Sequence, residues 1–194
     1  MKKISWVIIG VIALFILLII GSYNGLVSAQ ETVKQNWADV ETTYQRRIDL
    51  IPNLVSTVQG SVKFEQQTQT QIAALRTGAV AAQQAYKSAT TPEQKIQAFQ
   101  QSDQVLTQFR ALNINVENYP ELKSNENFLS LQDELAGTEN RITVARQRYN
   151  EAVKNYNVKT RRFPTVIMAK LFGFEQEQPF EAQAGAETVP KVTF

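Results

Sequence analysis

An apolar run near the N-terminus limits this chain more than any other feature. Ile4 to Gly21 reads Ile-Ser-Trp-Val-Ile-Ile-Gly-Val-Ile-Ala-Leu-Phe-Ile-Leu-Leu-Ile-Ile-Gly, and no charged residue stands between Lys3 and Glu31. Eighteen helical residues rise about 27 Å, close to the roughly 30 Å hydrocarbon core of a bilayer. A single segment that crosses such a core must be a helix, because only a helix satisfies its own backbone there. Trp6 and Tyr23 bracket the run where interfacial aromatics belong. A cleaved secretory signal is the rival reading, since Val27-Ser28-Ala29 resembles a small-residue cleavage site. A signal core, however, runs to about 7–15 apolar residues, and here the site lies several polar residues beyond the core. Nor could so small a chain cover this helix on all sides within a soluble core. The sequence therefore predicts an uncleaved, single-pass cell-membrane anchor that meets the lipid bilayer through residues 4–21.

Charge and composition then remove whole classes of function. The chain has 20 Lys+Arg and 18 Asp+Glu, a net charge of +2, and Lys2 and Lys3 precede the first acid, so the remainder balances at 18 against 18. A neutral domain lacks the basic excess that displaces counterions from phosphates, and no nucleic-acid partner is expected. By the positive-inside rule, Lys2 and Lys3 against Lys34 alone place the N-terminus in the cytoplasm and the domain outside. There is no cysteine and no histidine. Disulfides, thiolate catalysis, iron–sulfur clusters and the commonest zinc ligand are excluded, and no cofactor is implied. Hydrophobic residues at 43% with 20% charged suit a folded chain.

Beyond Gly21 the pattern is helical throughout. Leu26, Val33, Trp37, Val40, Tyr44, Ile48 and Ile51 recur at steps of three, four or seven. Pro52 predicts a kink, after which Val55, Val58, Val62, Ile72 and Leu75 resume the face until Thr77-Gly78 closes the element. Thr91, Pro92 and Gln94 spell a capping box. Ile96, Phe99, Leu106, Phe109 and Leu112 stripe the helix that follows it, and Asn113 to Lys123, with Tyr119-Pro120, reads as a loop. Phe128, Leu131, Leu135, Thr138, Ile142, Ala145, Tyr149, Ala152, Tyr156, Lys159 and Phe163 then keep a 3.5-residue repeat over five heptads, the mark of knobs-into-holes packing. Phe163-Pro164 ends that helix, and a short apolar helix over 166–172 stops at Gly173. The expected fold is all-α: an N-terminal transmembrane helix over 1–22, then over 23–174 an antiparallel bundle of three long helices and a short fourth. A loose acidic tail over 175–194 completes it, extended only at Val189 to Phe194.

Several word-like stretches resemble one family. Tyr23-Asn24-x-Leu26-Val27 follows the apolar run, with Trp37 further on, and Arg46-Arg47-x-Asp49-Leu50-Ile51-Pro52-Asn53-Leu54-Val55 occupies the predicted kink. Tyr119-Pro-Glu-Leu-Lys123, Phe128, Leu131-Gln132, Leu135, Gly137-Thr-Glu-Asn-Arg-Ile142, Tyr149-Asn150, Tyr156-Asn157 and Phe163-Pro164 complete the series. In that order and spacing the chain is similar to LemA-family proteins from Tyr23 to about Phe180. The resemblance implies a bacterial protein with a membrane helix and a helical bundle, without an established catalytic activity. It also implies a short N-terminus facing outward, opposite to the charge rule.

The candidate site residues carry two readings each. Arg46, Arg47 and Asp49 can form a polar patch for a partner or an anion, or the arginines can bond carbonyls freed at Pro52 and pair with Asp49. Glu139, Asn140 and Arg141 can in principle do acid–base work, or fix helix register. Tyr149-Asn150 and Tyr156-Asn157, seven apart, specify the core or line a cleft. Arg148, Arg161 and Arg162 belong to a cation-rich stretch from Arg141 to Lys170 that holds one acid, Glu151. That bias suits a helix C-terminus or a dock for anionic lipid or an acidic partner, although in a three-helix bundle this end points away from the anchor. Together these features predict a non-enzymatic interaction or scaffold protein of the bacterial cell envelope with a protein partner or self-association. The alternatives are a membrane-shaping oligomer and a carboxylate-dependent hydrolase or transferase, whose two carboxylates about 5–10 Å apart would need a cleft.

Overall fold

Helix periodicity in the sequence becomes six helices in the computed structural model, which describes residues 2–61, 65–112 and 119–180. They are α1 (Lys2–Ser61), α2 (Gln66–Ser88), α3 (Pro92–Ala111), α4 (Pro120–Lys123), α5 (Glu126–Arg161) and α6 (Thr165–Phe172), and among the described residues there is no strand. The fold is an all-α helical bundle. Its contacts divide into two compact units, residues 39–145 and residues 1–38 with 146–194.

In the unit over 39–145 the predicted stripe of α1 is the core. Ile51, Leu54, Val55 and Val58 pack with Ile72, Leu75 and Ala79 of α2, Val105 and Leu106 of α3, Leu122 of α4, and Phe128 and Leu135 of α5. α1 remains helical through Pro52. It does not run on to Thr77-Gly78, as its apolar period suggested, but ends at Ser61, and α2 starts at Gln66. Gly60-Ser61 is a weak place to prolong a helix. A straight continuation would also carry Ile72 about 21 Å past Val58 at 1.5 Å per residue, away from the surface that buries it. The bundle thus has four long helices where three were expected. Val62 lies outside the described residues.

Gly78 consequently sits inside α2 rather than at an end. A Cβ there would stand 3.1 Å from Cγ2 of Val105, so the glycine admits α3 at close range. The capping box of α3 forms as read: Thr91 Oγ1 accepts from the Gln94 amide, and the Gln94 side chain accepts from the Thr91 amide. The stretch expected as a loop up to Lys123 contains the turn of α4, which places Leu122 in the core; residues 113–118 lie outside the described part. Asn125, unmarked by the periodicity, caps α5 by accepting from the Phe128 amide at 3.1 Å.

In the other unit α1 supplies the apolar run, whose side chains from Trp6 to Leu18 are exposed, and it is the one described helix long and apolar enough to cross a membrane. Leu26 is buried with Met168 and Ala169 of α6, and Ile19 and Phe174 flank them. The heptad stripe of α5, which belongs to the 39–145 unit up to Ala145 and to this one from Tyr149, is buried or half-buried from Phe128 to Tyr156, after which Thr160 is buried while Lys159 and Phe163 are exposed. A 3.6-residue helix drifts from a strict 3.5 repeat in this direction. Gly173 closes α6 with φ +73°, and the Phe174 amide donates back to the Ala169 carbonyl at 2.9 Å.

Candidate functional site

Arg46 and Arg47 are neighbours in sequence and point to different fates. Arg46 is exposed and its Nε donates to Glu134 of α5 at 2.9 Å. Arg47 is buried: its guanidinium pairs with Asp103 of α3, reaches Glu139 of α5 at 3.0 Å, and lies 4.5 Å from the centre of the Tyr44 ring. Its longest bond, 3.5 Å, goes to the Phe99 carbonyl, and the Phe99 ring stacks on Tyr44 at 4.1 Å. Three helices are therefore tied through one cation. The expected Arg–Asp49 pairing is not what forms. Arg47 and Asp49, two apart on a helix, do not share a face; Arg46, three from Asp49, pairs with Glu134 instead, and Asp49 accepts from Gln83 of α2 at 2.8 Å.

Glu139 is likewise spoken for, with Arg110 3.8 Å away in addition to Arg47. These contacts join α5 to α1 and α3. Neighbouring α1 residues Thr42, Gln45, Arg46, Asp49, Leu50 and Asn53 line an open depression of about 420 Å³. Arg46 and Asp49 are brought together there, whereas Arg47 turns inward. Near the start of α3, Glu41 is bonded by Lys95 and by the Tyr86 hydroxyl at 3.2 Å. Burial, then the Glu41 charge, pushes the Tyr86 hydroxyl up to about 12.

In the other unit both tyrosines of the Tyr-Asn repeat are buried, as the core reading expected, whereas the asparagines bind a segment that reading did not name. Asn157 donates through Nδ2 to the Glu177 carbonyl at 2.8 Å and accepts at Oδ1 from the Glu177 amide at 3.0 Å. Asn150 does the same for Phe180, at 3.1 and 2.8 Å. Seven residues of α5 rise about 10.5 Å, and three residues of extended chain about 10 Å, so one heptad matches the step from Glu177 to Phe180. The two asparagines act as stand-in strand partners for a chain running antiparallel to α5. Phe180 stacks on Trp37 at 5.6 Å and meets Tyr149 edge-on at 5.4 Å, with the Arg146 guanidinium 5.2 Å from its ring. The Tyr149 hydroxyl donates to the Gln178 carbonyl and is pushed up to about 12 by burial and by Glu177. Tyr156 is raised too, by burial, Glu177 and Glu175. Residues 175–180, expected as part of a loose arm, are in fact docked, because this acidic segment meets a cation-rich helix whose amides satisfy its backbone. Residues 181–194, including the extended stretch from Val189, lie outside the described part.

The cationic end of α5 also departs from expectation. Arg148, Arg161 and Arg162 are exposed. Lys159, Arg162, Phe163, Pro164 and Thr165 share a depression of about 350 Å³ with Gly21, Ser22, Gly25 and Leu26. That end lies beside the exit of the apolar run, not away from it.

These features define a class: an all-α bundle tied by a buried cation, carrying a long apolar N-terminal helix, with polar groups spent on packing. The chain belongs to the LemA family, whose model matches residues 36–194. It is similar to magnetosome proteins MamQ 2 and MamQ 1 of Paramagnetospirillum magneticum (strain ATCC 700264 / AMB-1), each 29% identical over 73 residues. That match spans 38% of this chain and 27% of each relative.

Proposed function

We propose that this protein is a membrane-anchored, non-enzymatic scaffold of the bacterial cell envelope, which holds a protein partner at the membrane surface. One observation carries the reading: α1 passes without a break from the exposed apolar run into residues that form the bundle core, Val55 and Val58 among them. A partner bound to the bundle is then joined to the apolar run through that same helix. The carboxylates a hydrolase would use support this role more than catalysis, since Asp103 and Glu139 are engaged by Arg47. The depression along Thr42, Arg46, Asp49 and Asn53 offers the partner surface. Lys2 and Lys3 favour a cytoplasmic N-terminus.

Photo-crosslinking in native membranes from Gln45 and Asn53 tests this. A discrete adduct with another envelope protein is the expected result, and an adduct with a second copy would favour the membrane-shaping oligomer. Absence of any adduct, or recovery of the chain in the soluble fraction, would overturn the proposal. Labelling of a cysteine placed at Gln30 with an impermeant reagent on intact cells tests the orientation.

A further inference from the structure

α6 carries apolar side chains on opposite sides. Met168 and Ala169 are buried against Leu26, and Tyr23 meets the rings of Phe172 and Phe174 edge-on at 4.9 and 5.8 Å. The other side is bare: Ile167 and Leu171, one turn apart, are 52% and 70% exposed, and Phe163 in the preceding turn is 76% exposed. Lys159, Arg161, Arg162 and Lys170 surround this stripe, and all are exposed. Between residues 159 and 176 the single acid is Glu175.

The residues that α6 packs against fix its height. Ile19, Tyr23 and Leu26 lie at the end of the run over 4–21, and Leu26 is only about 7.5 Å past Gly21 along the helix axis. An interfacial helix buries its apolar face about 5–10 Å into the boundary of headgroups and acyl chains. The stripe therefore stands at the level where a bilayer spanned by residues 4–21 would end. Scattered exposed hydrophobics need no explanation. A contiguous stripe at this height, ringed by cations, has the composition of a surface that meets anionic lipid.

We infer that α6 and the Phe163 turn form a second membrane contact, a foot on the anionic bilayer beside the anchor. Phe163, Ile167 and Leu171 enter the acyl boundary, and Lys159, Arg161, Arg162 and Lys170 meet headgroup phosphates. This rests on the reading of residues 4–21 as a membrane anchor. A lone helix can rotate about its own axis in a membrane; a foot beside that axis stops the rotation.

The chain lacks cysteine, so single cysteines can be introduced cleanly at the exposed positions Leu14, Gln35 and Leu171. The full chain, labelled with an environment-sensitive fluorophore, is reconstituted in vesicles of phosphatidylcholine and phosphatidylglycerol that contain shallow or deep lipid quenchers. We expect deep quenching at position 14, shallow quenching at 171, and none at 35, which lies about 21 Å past Gly21 on α1. Replacing phosphatidylglycerol by phosphatidylcholine, or introducing R161Q/R162Q, should weaken the shallow quenching severalfold, since each surface cation contributes about fivefold. Quenching at 14 with a label at 171 that behaves like 35 would overturn the foot and leave the anchor. A label at 171 shielded from both lipid and aqueous quenchers would show a protein covering the stripe, and would overturn it as well. No quenching at 14 would overturn the anchor and the foot together. Quenching at 171 indifferent to lipid charge and to R161Q/R162Q would overturn the headgroup pairing.

Discussion

Replacing Arg47 by Met isolates the buried cation that ties α1, α3 and α5. Methionine keeps an apolar stem of similar reach, so little cavity arises, but Asp103 and Glu139 lose their counter-charge. Removing one partner of a buried pair costs about 3–5 kcal/mol when the other charge stays buried. Here the carboxylates keep 18% and 28% side-chain exposure, so each can recover part of its hydration. The lower bound applies: about 3 kcal/mol, or a fall of about 6–12 °C in Tm for a chain of this size. Circular-dichroism melts of the detergent-solubilised full chain read it directly. The triple variant R47M/D103N/E139Q should recover most of the loss, because its cost is the orphaned carboxylates rather than the missing cation. If R47M melts with the parent, the cluster does not hold the helices. If the triple variant melts as low as R47M, packing on Tyr44 rather than charge is what Arg47 supplies.

Three further outcomes follow from the geometry. Asn157→Ala and Asn150→Ala each orphan one amide and one carbonyl, at about 1–3 kcal/mol locally, so limited proteolysis should cut after Phe174 sooner while the bundle's helicity holds. Gly137→Ala adds a Cβ with nothing within 4 Å and should stabilise α5 by about 0.5–1 kcal/mol, whereas Gly78→Ala should gain less because Val105 must give way; equal Tm shifts would contradict this. Tyr86 and Tyr149, held near 12 when folded against 10.0 in the free side chain, stay neutral in the fold while the unfolded chain ionises. Their contribution to stability is full below pH 10 and is lost as pH rises toward 12, which tyrosinate absorbance of folded and denatured protein checks.

Much of the helical content was legible because it is encoded within a turn or two of chain. The stripe from Leu26 to Ile51, the Thr91 capping box, the heptads of α5 and the stop at Gly173 each depend on residues a few positions apart. The same locality explains the failures. The reversal after Ser61 was invisible because Ile72 and Leu75 remain in phase with Val58 on paper, whether the chain runs straight or turns back. The Arg-Arg-x-Asp word suggested an internal pairing, yet Arg47 finds Asp103 and Glu139, more than fifty residues away.

By itself, then, the sequence determined an apolar helix long enough to span a bilayer, an all-α bundle, and most of the apolar side chains that turn inward. Tertiary structure alone decided which helices meet. One unforeseen reversal changed the bundle from three long helices to four among the described residues, and packing set the cationic end of α5 beside the exit of the apolar run. The same packing brought Glu177 and Phe180 alongside Asn157 and Asn150. Periodicity states the face a residue occupies, while its partner depends on where the chain turns, and turns are specified by the energy of the whole core rather than by any local word.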